Sequence, residues 1–164
     1  MRKYFKLLFI FILISVFSVS CTQAKEPQVE GKNIAMDFKL QDLNQDTFSL
    51  SSYKDKQPVI LFFWTTWCPF CQIELNRLKD MYPQLQKEGW ELFAVNVGES
   101  ASKVDNFVKN YALNFKVLLD KDMAVAYSYG ILGVPTYFLV DKNGYIVFKE
   151  HYFPRERYKE LVYK

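Results

Sequence analysis

The chain of 164 residues has the length of one ordinary domain, and half of its residues are apolar, which suits a packed core and argues against general disorder. Its formal charge of +3 comes from Arg2, Lys3 and Lys6; without them the two signs balance at 18 each, so no nucleic-acid partner is predicted. Three cysteines and one histidine exclude a zinc ribbon and a disulfide-dense small domain.

The first twenty residues have the organisation of an export signal. A basic segment, 1–6, is followed by the apolar segment 7–19 and by the small residue Ser20. The apolar run is shorter than the ~20 residues that a bilayer crossing needs. We therefore predict a signal peptide over residues 1–20, with an uncleaved anchor as the alternative, and a domain that works outside the cytoplasm.

Cys21, the odd cysteine, follows directly. It occupies the position at which bacterial lipoproteins are acylated, although Ser18 stands where such proteins usually have leucine. A free thiol is a liability in an oxidising compartment. We predict that Cys21 is lipidated and that the polar residues 21–32 form a flexible tether to the membrane. The alternative is ordinary cleavage, after Ser20 or after Ala24.

The remaining residues, 33–164, alternate strand and helix patterns. Strands are predicted in a hairpin over 37–50 and over 58–64, 90–97, 115–119, 136–140 and 145–150. Helices are predicted from Pro69 to Gly89, over 101–111 and 121–129, and from Pro154 onwards. This alternation predicts an α/β sandwich with a mixed sheet and helices on both faces.

Several residues are expected to shape these elements. Pro83 should kink or restart the first helix, and Asn143-Gly144 should form a tight hairpin turn. The apolar stripe of the first helix is predicted to consist of Ile73, Leu75, Leu78, Met81, Tyr82 and Leu85.

The candidate chemistry lies in the motif Trp67-Cys68-Pro69-Phe70-Cys71, between a buried strand and a helix. At the start of a helix, free N–H groups and the dipole stabilise a thiolate, which favours Cys68 as an exposed nucleophile. Cys71 lies within the first turn and should be the buried, resolving thiol. The pair is thus predicted to exchange disulfides through a mixed disulfide with a partner protein.

Two other interpretations of the cysteine pair are weaker. Half of a metal site would need more ligands, and the chain offers only His151, which is predicted to be a surface residue. A structural disulfide would close too small a loop to stabilise the fold much.

A second candidate element is Gly133-Val134-Pro135-Thr136, directly before a predicted strand. A cis bond before Pro135 would let the Val134 backbone approach the sulfurs and pair with an extended substrate segment. An ordinary turn proline is equally compatible with this pattern.

Aromatic residues make up 18% of the chain. Most are expected in the core, whereas four are predicted to line a substrate groove: Trp64, Trp67, Phe70 and Tyr137.

With these motifs the chain resembles the thioredoxin superfamily, and within it the membrane-tethered TlpA/ResA type of thiol-disulfide oxidoreductase. The similarity lies in FFWTTWCPFC (62–71), FAVNVGES (93–100), NFKVLLDKD (114–122), YGILGVPTYFLVD (129–141) and KNGYIV (142–147). The resemblance implies a thioredoxin-like three-layer sandwich with an N-terminal hairpin, a cis Val134–Pro135 bond and a redox-active Cys68–Cys71 disulfide. It implies no bound cofactor.

Three positions are informative against this family. Thioredoxins carry a buried acid six residues before the first cysteine, where this chain has Phe62. ResA-like members carry a glutamate three residues after the second cysteine, which corresponds to Glu74. Being one helical turn from Cys71, Glu74 is expected to exchange protons with it and to raise the thiol pKa values. The dipeptide Pro69-Phe70 differs from the Glu-Pro or Val-Pro of close members and should alter the reduction potential.

The resemblance implies a function and its partners. The expected activity is reduction of disulfides in exported proteins, such as the CxxCH pair of apocytochrome c, with electrons from a membrane thiol relay. The alternatives are a disulfide-forming oxidase and a copper chaperone, although copper carriers of this fold use CxxxC with a later histidine. A thiol peroxidase is disfavoured because its cysteine stands in a different setting, with a nearby Thr and Arg.

Overall fold

The structure, a computed structural model, describes residues 33–163. The predicted signal peptide and the tether with Cys21 therefore lie outside the described residues. The strands are β1 Lys39–Asp42, β2 Thr47–Ser49, β3 Val59–Trp64, β4 Glu91–Val97, β5 Lys116–Asp120, β6 Thr136–Val140 and β7 Ile146–Glu150. The helices are α1 Pro69–Lys87, α2 Ala101–Tyr111, α3 Ala124–Ser128 and α4 Tyr158–Val162, with a 3-10 turn at Leu50–Tyr53.

The strands form one mixed sheet in the order β2-β1-β5-β4-β3-β6-β7. β3, β4 and β5 run parallel, whereas β6 and β7 and the β1–β2 hairpin are added antiparallel at the two sides. β3 lies between β4 and β6, and all six of its residues are buried. A strand covered on both faces needs the near-continuous apolar run that residues 58–64 supply.

Two apolar clusters cover the two faces of the sheet. On one face Ile60, Phe62 and Trp64 of β3 pack with buried residues of α1, α2 and α4. On the other, Leu61 and Phe63 pack with α3 and the 3-10 turn. The side-chain alternation of one strand thus supplies both cores, and the predicted three-layer sandwich is confirmed.

Helix α1 begins and ends where its sequence signals stand. Cys68 is the N-cap and Pro69 the first helical residue. At the other end Gly89 has a positive φ of 78°, and the Trp90 N–H donates to the Leu85 carbonyl at 2.9 Å. Of the two effects predicted for Pro83, a kink or a restart of the helix, the restart is wrong, because α1 continues through Pro83 to Lys87. Its buried stripe on both sides of this proline packs on the sheet, which compensates for the missing N–H.

Three further details differ from the sequence prediction. α4 begins at Tyr158, because the Pro154 carbonyl first accepts the N–H groups of Arg157 and Tyr158 in a separate turn. α3 is confined to Ala124–Ser128, since the residue before it has a left-handed backbone. Ile73 is half exposed, and Cys71 occupies the buried stripe in its place.

Across residues 33–163, no helix combines the length and the apolar character needed to cross a bilayer.

Candidate active site

The two cysteines of the motif form a disulfide at the start of α1. Their Cα atoms are 5.2 Å apart, within the ordinary range for a disulfide, and the Cys71 N–H donates to the Cys68 sulfur at 3.1 Å. Cys71 is fully buried, whereas Cys68 retains 4% exposure. The prediction that Cys68 is exposed is wrong for this disulfide, in which both cysteines are buried, because the loop before β6 packs against the Cys68 sulfur.

The loop before β6 faces this disulfide. Its Val134–Pro135 bond is cis, so we call Gly133, Val134 and Pro135 the cis-proline loop. The Val134 carbonyl oxygen lies 3.6 Å from the Cys68 sulfur. Antiparallel pairing of β3 with β6, in which Phe63 is opposite Thr136, brings the loop to this position. Residues far apart in the chain, Val134 and Cys68, thus meet at one edge of the sheet.

Only two of the four predicted groove aromatics lie at the surface. Trp67 and Phe70, which precede and follow Cys68 in the chain, are 67% and 72% exposed. The prediction is wrong for Trp64 and Tyr137, which are fully buried. Trp64 is the last residue of β3, and its ring packs 5.1 Å from that of Phe107 on α2.

A groove of about 540 Å³ runs beside the disulfide loop. Thr65 and Trp67 line one part of it, and Leu132, Gly133 and Val134 line another. The groove thus borders both the motif and the cis-proline loop.

Glu74 is not a solvated helix residue. Its side chain is 13% exposed, and it accepts hydrogen bonds from the Tyr137 hydroxyl at 2.8 Å and from Arg77 at 2.5 Å. Burial, and then the charge of Glu74, raise the pKa of Tyr137 well above its usual value, so this hydroxyl stays a donor. The Tyr137 ring lies 4.6 Å from Phe62, the residue that replaces the family's buried acid.

Near the motif lies a buried carboxylate that was not predicted, Glu99. It accepts hydrogen bonds from the Thr66 N–H at 2.6 Å, the Thr66 hydroxyl at 2.7 Å, the Asn96 amide at 2.8 Å and Lys103 at 2.7 Å. Burial acts to raise the pKa of Glu99, but the hydrogen bonds from Lys103, Asn96 and Thr66 outweigh it and hold that pKa below its usual value. Glu99 therefore fixes the backbone two residues before Cys68.

The signal for Glu99 was present in the chain. Parallel strands end at the same edge of a sheet, and Thr66 follows β3 as Glu99 follows β4. An acid in the loop after β4 was therefore a candidate partner for the loop that leads to the cysteines.

His151 is exposed, as predicted, but it also contacts the cis-proline loop. Its Nδ1 lies 2.7 Å from the Pro135 carbonyl oxygen. Within residues 33–163, no group of three or more His, Cys, Asp or Glu side chains is placed to hold a metal ion.

Comparison with known proteins agrees with this geometry. Residues 32–149 match the AhpC/TSA family. The chain is 42% identical over 110 residues to the thiol-disulfide oxidoreductase ResA of Geobacillus thermodenitrificans, covering 67% of this chain and 63% of that protein, less than two thirds of its length. It is 34% identical over 149 residues to ResA of Bacillus thuringiensis, covering 89% of this chain and 86% of the relative.

The chain belongs to the AhpC/TSA family, as a thiol-disulfide oxidoreductase of the ResA type.

A solved structure agrees with this assignment. The oxidoreductase superposes on StoA from Bacillus subtilis with a TM-score of 0.66 and 28% identity, over 78% of this chain and 97% of that one. The thioredoxin-like fold expected from the sequence motifs is confirmed.

The Glu99 cluster generates a prediction about stability. Glu99→Gln should lower the free energy of unfolding of the oxidoreductase by about 1–3 kcal/mol at pH 7. The amide has one acceptor oxygen where the carboxylate has two, so some of the donors from Thr66, Asn96 and Lys103 would lose their partner. The folded pKa is lower than the usual 4.5, so the carboxylate stabilises the fold above about that pH and the benefit is lost as pH falls through the folded pKa. Urea unfolding at several pH values measures the difference.

The matched control is Asp105→Asn on α2. Asp105 also pairs with a lysine four residues later, Lys109 at 2.6 Å, but on the surface. Its effect should be below about 0.5 kcal/mol at every pH. Equal effects of the two substitutions would show that the Glu99 cluster adds nothing beyond a surface ion pair.

Proposed function

We propose that this oxidoreductase reduces disulfides of exported proteins, with Cys68 as the attacking thiol and Cys71 as the resolving thiol. The observation that carries the proposal is the Cys68–Cys71 disulfide at the start of α1, with the Val134 carbonyl 3.6 Å from the Cys68 sulfur. Both cysteines are buried in this disulfide, but Cys68 is the N-cap of α1 and has the exposed rings of Trp67 and Phe70 near it in the chain, whereas Cys71 lies inside the helix. Cys68 is therefore the better placed of the two for the first exchange, and Cys71 for the second.

The reaction balances in two steps. The Cys68 thiolate of the reduced enzyme attacks one sulfur of the substrate disulfide, which breaks that bond, forms a mixed disulfide and releases one substrate thiolate. The Cys71 thiolate then attacks the Cys68 sulfur, releases the second substrate thiolate and leaves the enzyme disulfide. Two electrons pass to the substrate, and an external dithiol must return them before another cycle.

Substrate contacts are proposed around this sulfur. Val134 would pair its backbone with an extended segment of the substrate, and Pro135 would hold that backbone in place. Trp67, Pro69 and Phe70 would contact side chains next to the substrate cysteine. Support comes from the exposure of Trp67 and Phe70 and from the groove that borders Trp67 and Val134.

The proposed substrate is the CxxCH disulfide of apocytochrome c, and the proposed electron donor is a membrane thiol relay. Disulfides form readily outside the cytoplasm, so a dithiol enzyme there has the task of undoing selected ones. A domain kept at the membrane by its N-terminal segment would meet both the relay and newly exported chains. The export signal over residues 1–20 and the lipid on Cys21 are parts of this proposal.

Glu74 is proposed to exchange protons with Cys71 and to raise the thiol pKa values by its charge. The proposal is supported by its low exposure and by its fixed position, held from β6 by Tyr137 and from α1 by Arg77. A carboxylate held in a poorly solvated place acts strongly on nearby groups, because water screens it little.

The exchange mechanism is tested by trapping. The Cys71→Ala variant should accumulate a mixed disulfide through Cys68 with a CxxCH peptide disulfide, because no thiol remains to resolve it. Mass spectrometry of the unreduced product detects the adduct. Cys68→Ala should form no such adduct and should lose all turnover; an adduct at Cys71 in that variant would reverse the assigned roles.

The direction of the reaction is tested with the intact pair. At equilibrium between equal amounts of reduced enzyme and peptide disulfide, more than half of the electrons should reside on the peptide, as the ratio of dithiol to disulfide shows. Electrons retained by the enzyme would instead identify an oxidase.

Substitution of Glu74 should change the thiol titration. Glu74→Gln removes the negative charge but can still accept from Tyr137, so the pKa of the thiols should fall. The pH dependence of Cys68 alkylation in the reduced enzyme measures this shift. Glu160→Gln on the exposed face of α4 is the control and should change nothing; the same titration in both variants would make Glu74 a structural residue.

Processing at Cys21 is tested on protein from bacterial membranes. Mass spectrometry should find an N-terminus at Cys21 that carries acyl chains, and Cys21→Ala should release the protein from the membrane fraction. An intact N-terminus, or one at Cys21 or Lys25 without lipid, would contradict the anchor.

A further inference from the structure

His151 lies directly after β7 and opposite the start of β6. The antiparallel pairing joins Tyr137 to Glu150 and Phe138 to Lys149, so Thr136 and His151 are the next residues of the two chains beyond the last pair. Its Nδ1 is 2.7 Å from the Pro135 carbonyl oxygen and 3.3 Å from the Thr136 hydroxyl. A carbonyl oxygen only accepts, so Nδ1 carries a hydrogen and donates it to Pro135.

The Thr136 hydroxyl makes a second tie within the same loop. It donates to the Gly133 carbonyl at 2.7 Å, and Thr136 itself is buried. The carbonyl groups on both sides of Val134 are therefore held by side chains, one by Thr136 and one by His151. Between them lies the Val134 carbonyl, which faces the Cys68 sulfur.

We infer that His151, together with Thr136, is a positioning residue that holds the Val134 backbone in place for the substrate segment carrying the disulfide. This inference rests on the proposed function, in which that backbone pairs with the substrate. A strand-like pairing is fastest when the N–H and C=O groups of Val134 are already in place before the substrate arrives. If the loop had to be ordered during binding, the lost conformational freedom would lower the rate of attack.

The nature of the contact makes it specific for one edge of the imidazole. Both the neutral form with a hydrogen on Nδ1 and the cation can donate to Pro135, so the contact requires a donor at the Nδ1 position and nothing at Nε2. An asparagine amide reaches the position of Nδ1, whereas a glutamine amide reaches that of Nε2. The two amides therefore distinguish the proposed contact from a general need for a polar residue.

The experiment uses the full chain with Cys71→Ala as the parent. One measurement is the rate constant for mixed-disulfide formation between Cys68 and a CxxCH peptide disulfide. The other is the rate of Cys68 alkylation by iodoacetamide, which needs no backbone pairing; peptide mapping assigns both products to Cys68.

His151→Gln should slow the peptide reaction about tenfold, as expected for the loss of one hydrogen bond, while His151→Asn should stay within about twofold of the parent. Alkylation should not change in either variant.

A second pair of variants tests the Thr136 tie independently. Thr136→Ser keeps the hydroxyl and should react with the peptide like the parent, whereas Thr136→Val should be slowed, again without a change in alkylation.

The possible results distinguish the proposed function from the role of His151. A parent that traps no peptide would refute the proposed function and this inference with it. Trapping by the parent with equal rates for the glutamine and asparagine variants would refute the role of His151 alone. A parallel loss of both reactions in His151→Gln would show a general structural role and would also overturn the inference.

Discussion

The antiparallel pairing of β3 with β6 is the contact on which the whole site depends. β3 leads into the loop that carries Cys68, and β6 begins directly after the cis-proline loop. Because the two strands run in opposite directions, the end of one and the beginning of the other meet at one edge of the sheet. The Cys68 sulfur and the Val134 carbonyl oxygen are thus 3.6 Å apart in space, although 66 positions separate the two residues in the chain.

A buried carboxylate, Glu99, and a partly buried one, Glu74, hold the segments on either side of this meeting point. Glu99, after β4, binds Thr66 on the approach to Cys68, and Glu74, on α1, binds Tyr137 on the exit from the cis-proline loop. Each is satisfied by several donors, which is what a buried charge requires. Phe62 makes apolar the β3 position at which thioredoxins carry a buried acid. The carboxylate that binds the neighbouring Tyr137, Glu74, belongs instead to α1.

The bounds of an element could be predicted where its apolar pattern agrees with the residues that begin or end it. β3, β6, α1 and α2 lie within a residue or two of their predicted bounds, because long apolar runs, Pro69 and Gly89 mark them clearly. Predictions were wrong where a local signal competed with packing: α1 does not restart at Pro83, and the turn at Pro154 delays the start of α4. Trp64 and Tyr137 were assigned to the groove by their proximity to the motifs, although strand alternation directs both side chains into the core.

The amino-acid sequence by itself determined the chemistry: two cysteines at the start of a helix, a proline before a strand and a glutamate one turn beyond. These are local facts, since spacing along a helix or strand sets which neighbours meet. Only the tertiary structure decided the contact of Glu74 with Tyr137, the contact of Glu99 with Thr66 and the contact of His151 with Pro135. Those contacts join residues 16 to 63 positions apart, and their formation depends on strand order and register, which no short stretch of the chain encodes.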